Sequence, residues 1–301
     1  MIHNPLFQRI QNVIYVRVVK RLAGISWKSS GGSGASKMGS GETGKDSSIS
    51  APSGWVEIAE AVTEGGISSS GIRRLIPVMD IVETVPPGDG LIYAKLIGKL
   101  GAEFFSNETV ARVDAWGDPV CWPGILLRTP RAFSPTSLRY LATALWIRER
   151  GIVPPGGKIV EIGVGFGGLA AMNSVVSGAS TVLVDLPQVE GLAGKMLSEN
   201  GLEGFLDSSR EPVGDFTIIS NYAFTELSTK VQDIYFEKWI RHSKHGLIVS
   251  NANQFSRRIG GRDDADLLEL LRSVDFDVVM LKKSDLLCRS DYFCDVSVFV
   301  W

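Results

Sequence analysis

The sequence predicts an α/β fold, with a largely parallel sheet preceded by a mostly helical region. Three observations carry this expectation. From Pro154 onward, short runs rich in Val and Ile alternate with segments of helical character, the pattern of a parallel sheet covered on both faces. Before that, between residues 55 and 150, apolar residues recur at helical spacing. A glycine cluster, GVGFGG from Gly163, stands between the first Val/Ile run and the helical segment after it, where a sharp strand-to-helix turn favours glycine.

In chain order, residues 1–28 place Phe7, Ile10, Ile14, Val18, Leu22 and Ile25 at helical spacing, with Arg9, Arg17, Lys20 and Arg21 among them. They read as a basic amphipathic helix that docks on its own domain, on a second subunit of a homo-oligomer, or weakly on a membrane surface. Residues 29–54 are rich in Ser and Gly and read as a solvated linker. The stretch GSGETGK, Gly39 to Lys45, lies inside it. A phosphate-binding loop requires Ser or Thr after the lysine, with a strand before and a helix after; here Asp46 follows and the flanks are linker.

Residues 55–150 form the helical region, a candidate cover for a substrate. WVEIAEAV and LIYAKLIGKLGAEFF read as helices, with PPGDG (Pro86 to Gly90) as the turn before the second. SPTSLRYLATALWIRERG reads as a helix capped by Ser134, with Pro135 at its first position and Gly151 at its end. Residues 151–301 form the sheet domain. Its strands are expected in KIVEIG, TVLVDL, DFTIIS, GLIVSN, FDVVML and CDVSVFVW, with GFLDSS as one more. The last two long runs lack a helix between them and are expected to pair antiparallel.

Composition narrows the function. Lys and Arg number 31 and Asp and Glu 33, for a net charge of −2, so no global field recruits nucleic acid. The three cysteines, Cys121, Cys288 and Cys294, form no CxxC pair, which fits a reducing, cytoplasmic setting and argues against a thiolate zinc site. No long uncharged apolar run suggests a spanning helix, and no His/Asp cluster has metal-ligand spacing, so no metal is expected.

Gly163, Gly165 and Gly168 satisfy G-x-G-x-x-G, and Asp185 ends the next strand about twenty residues later, where a carboxylate accepts hydrogen bonds from ribose hydroxyls. Glu161 precedes the first glycine by two positions. A phosphate-bearing dinucleotide would meet an unwelcome charge there, whereas the ammonium of S-adenosylmethionine would be attracted. A nicotinamide-dependent oxidoreductase and a non-catalytic cofactor-binding partner stay open as alternatives, as does a different small-molecule hydroxyl as acceptor.

EIGVGFGG, then VDLP from Val184, then SNYAFTEL from Ser220 resemble successive signatures of class I S-adenosylmethionine-dependent methyltransferases. More narrowly they are similar to the sugar O-methyltransferases of bacterial polysaccharide biosynthesis. The resemblance covers the organisation of residues 134–301. It implies a Rossmann-like, seven-stranded sheet with an antiparallel last strand, S-adenosyl-L-methionine as cofactor, and a sugar or glycoconjugate as acceptor. It places Glu161, Gly163, Gly165 and Gly167 near the methionine end, Asp185 on the ribose with Leu186 beside it, Asp207 or Ser208 near adenine, and Ser220 and Asn221 along the cofactor.

Methyl transfer to a hydroxyl calls for a base. His3 lies before the linker, while His242 and His245 are expected at the amino edge of the sheet, opposite the edge where open α/β sheets bind ligands. Glu226 follows the strand DFTIIS and emerges at the carboxyl edge, where it either takes the proton or stabilises the first turn of the next helix. Tyr222 is a candidate to hydrogen-bond a polyol, as are Asn251, Asn253 and Gln254 in SNANQ, read as a loop after the next strand, whose amides otherwise satisfy backbone groups. Tyr140, with Arg139 beside it, is a candidate to close over the pocket.

Overall fold

A computed structural model describes residues 24–26, 54–209, 214–282 and 296–301. Most of the amphipathic and linker segments, including Gly39 to Lys45, lie outside the described residues, as do Cys288 and Cys294. Cys121 is a free, exposed thiol.

Among the described residues six helices precede the sheet: α1 (Trp55–Thr63), α2 (Ile76–Ile81), α3 (Pro87–Leu100), α4 (Glu108–Ala115), the single turn α5 (Gly124–Leu127) and α6 (Pro135–Glu149). α6 starts as its sequence demands. The Ser134 hydroxyl accepts the Ser137 amide, and Pro135 occupies the first turn, where its missing N–H costs nothing. From Pro135 to Ile147 every residue of α6 is buried, because α3 packs on one side and α7 (Gly168–Ser177) on another. The expected turn PPGDG is instead largely the first turn of α3, with Pro87 at its start. Proline and glycine here serve helix initiation and close packing: a Cβ on Gly90 would stand 2.9 Å from Pro135 Cβ.

The sheet comprises β1 (Lys158–Ile162), β2 (Ser180–Val184), β3 (Thr217–Asn221), β4 (His245–Ser250), β5 (Val279–Lys282) and β6 (Ser297–Val300), in the order β2-β1-β3-β4-β6-β5. The first four are parallel, and β6 runs antiparallel between β4 and β5. The described residues thus form six strands rather than seven. GFLDSS supplies a lone parallel bridge, Thr181 to Leu206, because the polar run Asp207-Ser208-Ser209 has no apolar face to bury. Between the parallel strands lie α7, α8 (Pro187–Glu199) and α9 (Thr229–Lys238); α10 (Ala252–Ile259) and α11 (Asp264–Arg272) follow β4.

Alternation along the strands feeds two cores. Ile159, Ile219, Leu247 and Val298 join the front helices in one buried cluster, while Val160, Ile218, Ile248 and Phe299 pack with Phe236, Leu267 and Leu271 of α9 and α11 in the other. The helical region 55–150 therefore shares a continuous core with one sheet face. Glu161 has the parity of Ile159 and points into that face.

Two further expectations change. Ile25, placed in the N-terminal helix by its spacing, forms an extended bridge to Leu75, accepting from Ile76 N and donating to Arg74 O. SNANQ, read as a loop, enters α10 with Asn251 as its N-cap residue. No helix among the described residues is long and apolar enough to cross a membrane.

Candidate active site

β2 and β3 lie on opposite sides of β1, so the chain reverses direction across the sheet at the carboxyl ends of β1 and β3. Ligands of open α/β sheets bind at such a switch point. The glycine turn occupies it. Gly163, Gly165 and Gly167 have φ of 81°, 53° and 86°, values that side-chain-bearing residues rarely adopt. Gly163 also has no room for a side chain, since a Cβ would stand 1.8 Å from Ala223 Cβ.

Two carboxyls flank the turn. Glu161 is 2% exposed, and its Oε2 is buried without a hydrogen-bond partner. Burial, reinforced by the nearby Asp185 charge, holds its proton well above the usual carboxyl range. Asp185 is half-buried. Its Oδ2 accepts from Val164 N at 2.9 Å and its Oδ1 from Leu186 N at 2.8 Å, so it ties the turn to the end of β2. Burial pushes Asp185 up to about 6, against these backbone donors.

Phe166, within the turn, is 1% exposed and is gripped by the front helices. Trp116 stacks on it at 5.8 Å, Tyr140 meets it edge-on at 5.7 Å, and the Arg73 guanidinium lies 4.4 Å from its ring centre. Arg73 is itself locked: Nε donates to Glu83 Oε1 at 2.5 Å, Nη1 to the carbonyls of Asp114 and Trp116, and Nη2 to Ser134 Oγ and Ser137 Oγ. Sequence reading missed Phe166, Arg73, Glu83 and Trp116. The available signal was an aromatic residue at a variable position of the glycine motif.

At the carboxyl end of β3, beside the glycine turn, Tyr222 leaves the strand with φ 76°, a strained value for a bulky residue. The 3₁₀ turn Ala223–Glu226 follows. Glu226 lies two residues before Ser228, the N-cap of α9, and therefore outside the first turn where it would serve that helix dipole. It reaches sideways instead: Asn251 Nδ2 donates to Glu226 Oε1 at 2.6 Å, while Thr225 Oγ1 donates to Asn251 Oδ1 at 2.9 Å. Burial raises the Glu226 carboxyl, opposed by the Asn251 hydrogen bond and the Arg139 charge.

Several candidates have other work. Asn251 is 5% exposed, and its amide bridges Thr225 and Glu226, so it positions that carboxyl. Asn253 Nδ2 donates to Asp264 Oδ2, which with Oδ1 also accepts from Ser297 Oγ and Ser250 Oγ; this network ties α10 and α11 to the sheet. Ser220 donates to Ile162 O and accepts from Phe224 N, which spends its hydroxyl inside the fold. The Tyr140 ring packs under Gly168, where a Cβ would stand 2.6 Å from its Cδ2, making it a floor rather than a lid. Asp207 pairs at 2.9 Å with Lys158, the first residue of β1, so with exposed Ser208 it lies toward the amino edge, away from the glycine turn. The Gln254 side chain lies outside the described residues.

Leu186 is 40% exposed beside Asp185, and Asn221 is half-buried at the end of β3. His245 opens β4, at the amino edge as its sequence position implied. A cleft of about 200 Å³ opens at that edge too, lined by Lys158, Asp215, Lys244 and His245. Its lysines are neutralised by Asp207 and Asp215, and it lies across the sheet from the glycine turn. Among the described residues no group of three or more His, Cys, Asp or Glu is arranged to hold a metal.

No protein-family model matches the chain, and no curated protein matches its sequence. Among solved structures it is similar to a phosphoethanolamine N-methyltransferase of Haemonchus contortus in complex with phosphomonomethylethanolamine and S-adenosylhomocysteine, at 18% identity and TM-score 0.40, over 49% of this chain and 40% of that one. It is also similar to an S-adenosylmethionine-dependent methyltransferase of Aquifex aeolicus, at 14% identity and TM-score 0.41, over 55% of this chain and 92% of that one. A third similar structure is the [4+2]-cyclase SpnF, at 14% identity and TM-score 0.41, over 53% of this chain and 78% of that one.

Proposed function

We propose that the chain is an S-adenosylmethionine-dependent O-methyltransferase acting on a hydroxyl of a sugar or glycoconjugate. The observation that carries the cofactor is the buried, unpartnered Oε2 of Glu161 beside the glycine turn. A carboxylate in that position favours a cation and repels a diphosphate, which separates S-adenosylmethionine from a nicotinamide dinucleotide. Within the turn, a Cβ on Gly165 would meet Val82 at 3.8 Å, an ordinary contact, so its glycine answers to the φ of 53° and not to crowding.

In this reading Glu161 holds the ammonium group and Asp185 accepts from the ribose hydroxyls through its remaining lone pairs. The exposed Leu186 side chain borders the nucleoside. The cofactor, when bound, supplies an electrophilic methyl group. Glu226 is the group that takes the proton of the acceptor hydroxyl: it ends the turn Ala223–Glu226 that packs against Gly163, its burial keeps its proton affinity above that of an exposed carboxyl, and Asn251 fixes its orientation. Tyr222 and Asn221 border the same space, and the helices of residues 55–150 cover it. The sugar as acceptor rests on the resemblance of EIGVGFGG, VDLP and SNYAFTEL taken together.

Thermal melting with S-adenosylhomocysteine, NAD and ATP tests the cofactor. A ligand at about a hundred times its Kd stabilises the fold by about 2.7 kcal/mol, and the expected shift is with S-adenosylhomocysteine alone. A shift with NAD alone would end the methyltransfer reading. Incubation with methyl-labelled S-adenosylmethionine and a saccharide extract, read by mass spectrometry, tests the acceptor; label confined to non-saccharide products would reject the sugar.

A further inference from the structure

Among the described residues two guanidinium groups are buried, in very different circumstances. Arg73 is compensated by a carboxylate, two carbonyls and two hydroxyls. Arg139, on α6, is 8% exposed and has nothing comparable. Its Nη1 makes a long hydrogen bond of 3.5 Å to Thr84 Oγ1, its Nε is buried without a partner, and its remaining neighbours are three neutral tyrosines: Tyr140, through its hydroxyl and with its ring at 5.3 Å, Tyr222 with its ring at 5.4 Å, and Tyr93. Among the described residues no carboxylate lies within ion-pairing distance of it. A cation taken out of water and given only neutral partners is expensive, and a planar fork of donors suits an oxyanion.

Its place says which oxyanion. Tyr222 is the first residue beyond β3 and precedes the turn that ends in Glu226. The Arg139 charge acts on the Glu226 carboxyl, whereas Glu161 responds to burial and to Asp185.

We infer that Arg139 receives an anionic group of the acceptor, a carboxylate or phosphate carried near the hydroxyl that faces Glu226. The acceptor is thus an acidic or phosphorylated sugar rather than a neutral one, an inference that rests on the methyltransfer reading and narrows its substrate. Tyr140 and Tyr222 exclude water around the guanidinium, which strengthens its hold on an anion.

The test is melting of the full chain, with and without S-adenosylhomocysteine, in glucuronate, inorganic phosphate and glucose at matched ionic strength. The expected result is a rise of several degrees in glucuronate or phosphate and none in glucose. Arg139→Met, which keeps the aliphatic stem, should lose the anion shift and retain the S-adenosylhomocysteine shift. Arg139→Lys, which keeps the charge without the fork, should retain a reduced anion shift, and it carries the comparison if the methionine variant does not fold. The inference is overturned if neither anion moves the parent, or if the shift survives in Arg139→Met. It is equally overturned if Arg139→Met loses its response to S-adenosylhomocysteine, since the guanidinium then belongs to the carboxylate of the cofactor. A parent that responds to the anions but not to S-adenosylhomocysteine keeps Arg139 as an oxyanion receptor and ends the methyltransfer reading instead.

Discussion

Gly163→Ala is the perturbation whose size follows most directly from the structure. At φ 81° the backbone lies in the left-handed region, where a side chain costs about 1–2 kcal/mol. The added methyl would stand 1.8 Å from Ala223 Cβ and 3.3 Å from Ala223 Cα, far inside ordinary carbon contact, and forcing the two segments apart adds about 1–3 kcal/mol. The single variant should therefore lose about 2–5 kcal/mol. Ala223→Gly alone, in a short 3₁₀ turn, should cost no more than about 1 kcal/mol. Combining the two removes the clash but not the backbone strain, so the double variant should recover about 1–3 kcal/mol relative to additivity. Urea unfolding of all four proteins measures the cycle, and a titration of the folded variants with S-adenosylhomocysteine reports whether the turn has moved. Additivity to within about 0.5 kcal/mol would refute the claim that close approach of Ala223 is what makes glycine necessary here.

Glu226→Gln should lower single-turnover methyl transfer on the order of a hundredfold or more, with S-adenosylhomocysteine affinity and melting nearly unchanged; turnover at the parent rate would eliminate Glu226 as the base. Glu161 and Asp185 bind protons more tightly in the folded chain than in the unfolded one, Asp185 with a folded value of about 6. Their contribution to stability is therefore present in acid and lost as pH rises through that region. Because the ammonium group of S-adenosylhomocysteine favours the ionised carboxyls, its affinity should rise with pH through about 6, where Asp185 ionises, and calorimetric titration of Glu161→Gln should show a flatter profile. Phe166→Ala should cost about 3–5 kcal/mol in unfolding experiments and weaken cofactor binding in whatever fraction stays folded. If stability falls while affinity holds, the front helices do not shape the turn.

Much of the architecture was legible because it is written in local chemistry. Ser134 and Pro135 announce the start of α6, the Val/Ile runs become β1 to β4, and the glycine spacing marks the one strand-to-helix turn at the switch point. Glu161 and Asp185 were found for the same reason, since each sits at a fixed offset from those glycines. Local signals also misled where one residue type serves two purposes. The proline and glycines of PPGDG mark a turn in isolation but start α3 when Pro135 must approach closely. Asn251 and Asn253 look like loop amides, yet one holds Glu226 and the other ties α10 to Asp264.

The sequence by itself determined the alternation of strands and helices, the glycine turn with its two acids, and the edge of the sheet at which Glu226 emerges. Tertiary structure alone decided which polar residues are already spent. Ser220, Asn253 and Asp207 satisfy the fold's own donors and acceptors, whereas Glu161 Oε2 and Arg139 Nε are buried without a hydrogen-bond partner. It also decided that Phe166 is held by Arg73, whose guanidinium bonds to Ser137, 64 residues away in the chain. The reason is physical: strand, helix and turn preferences arise between near neighbours, but the cost of a buried charge depends on partners that only folding brings within hydrogen-bonding distance.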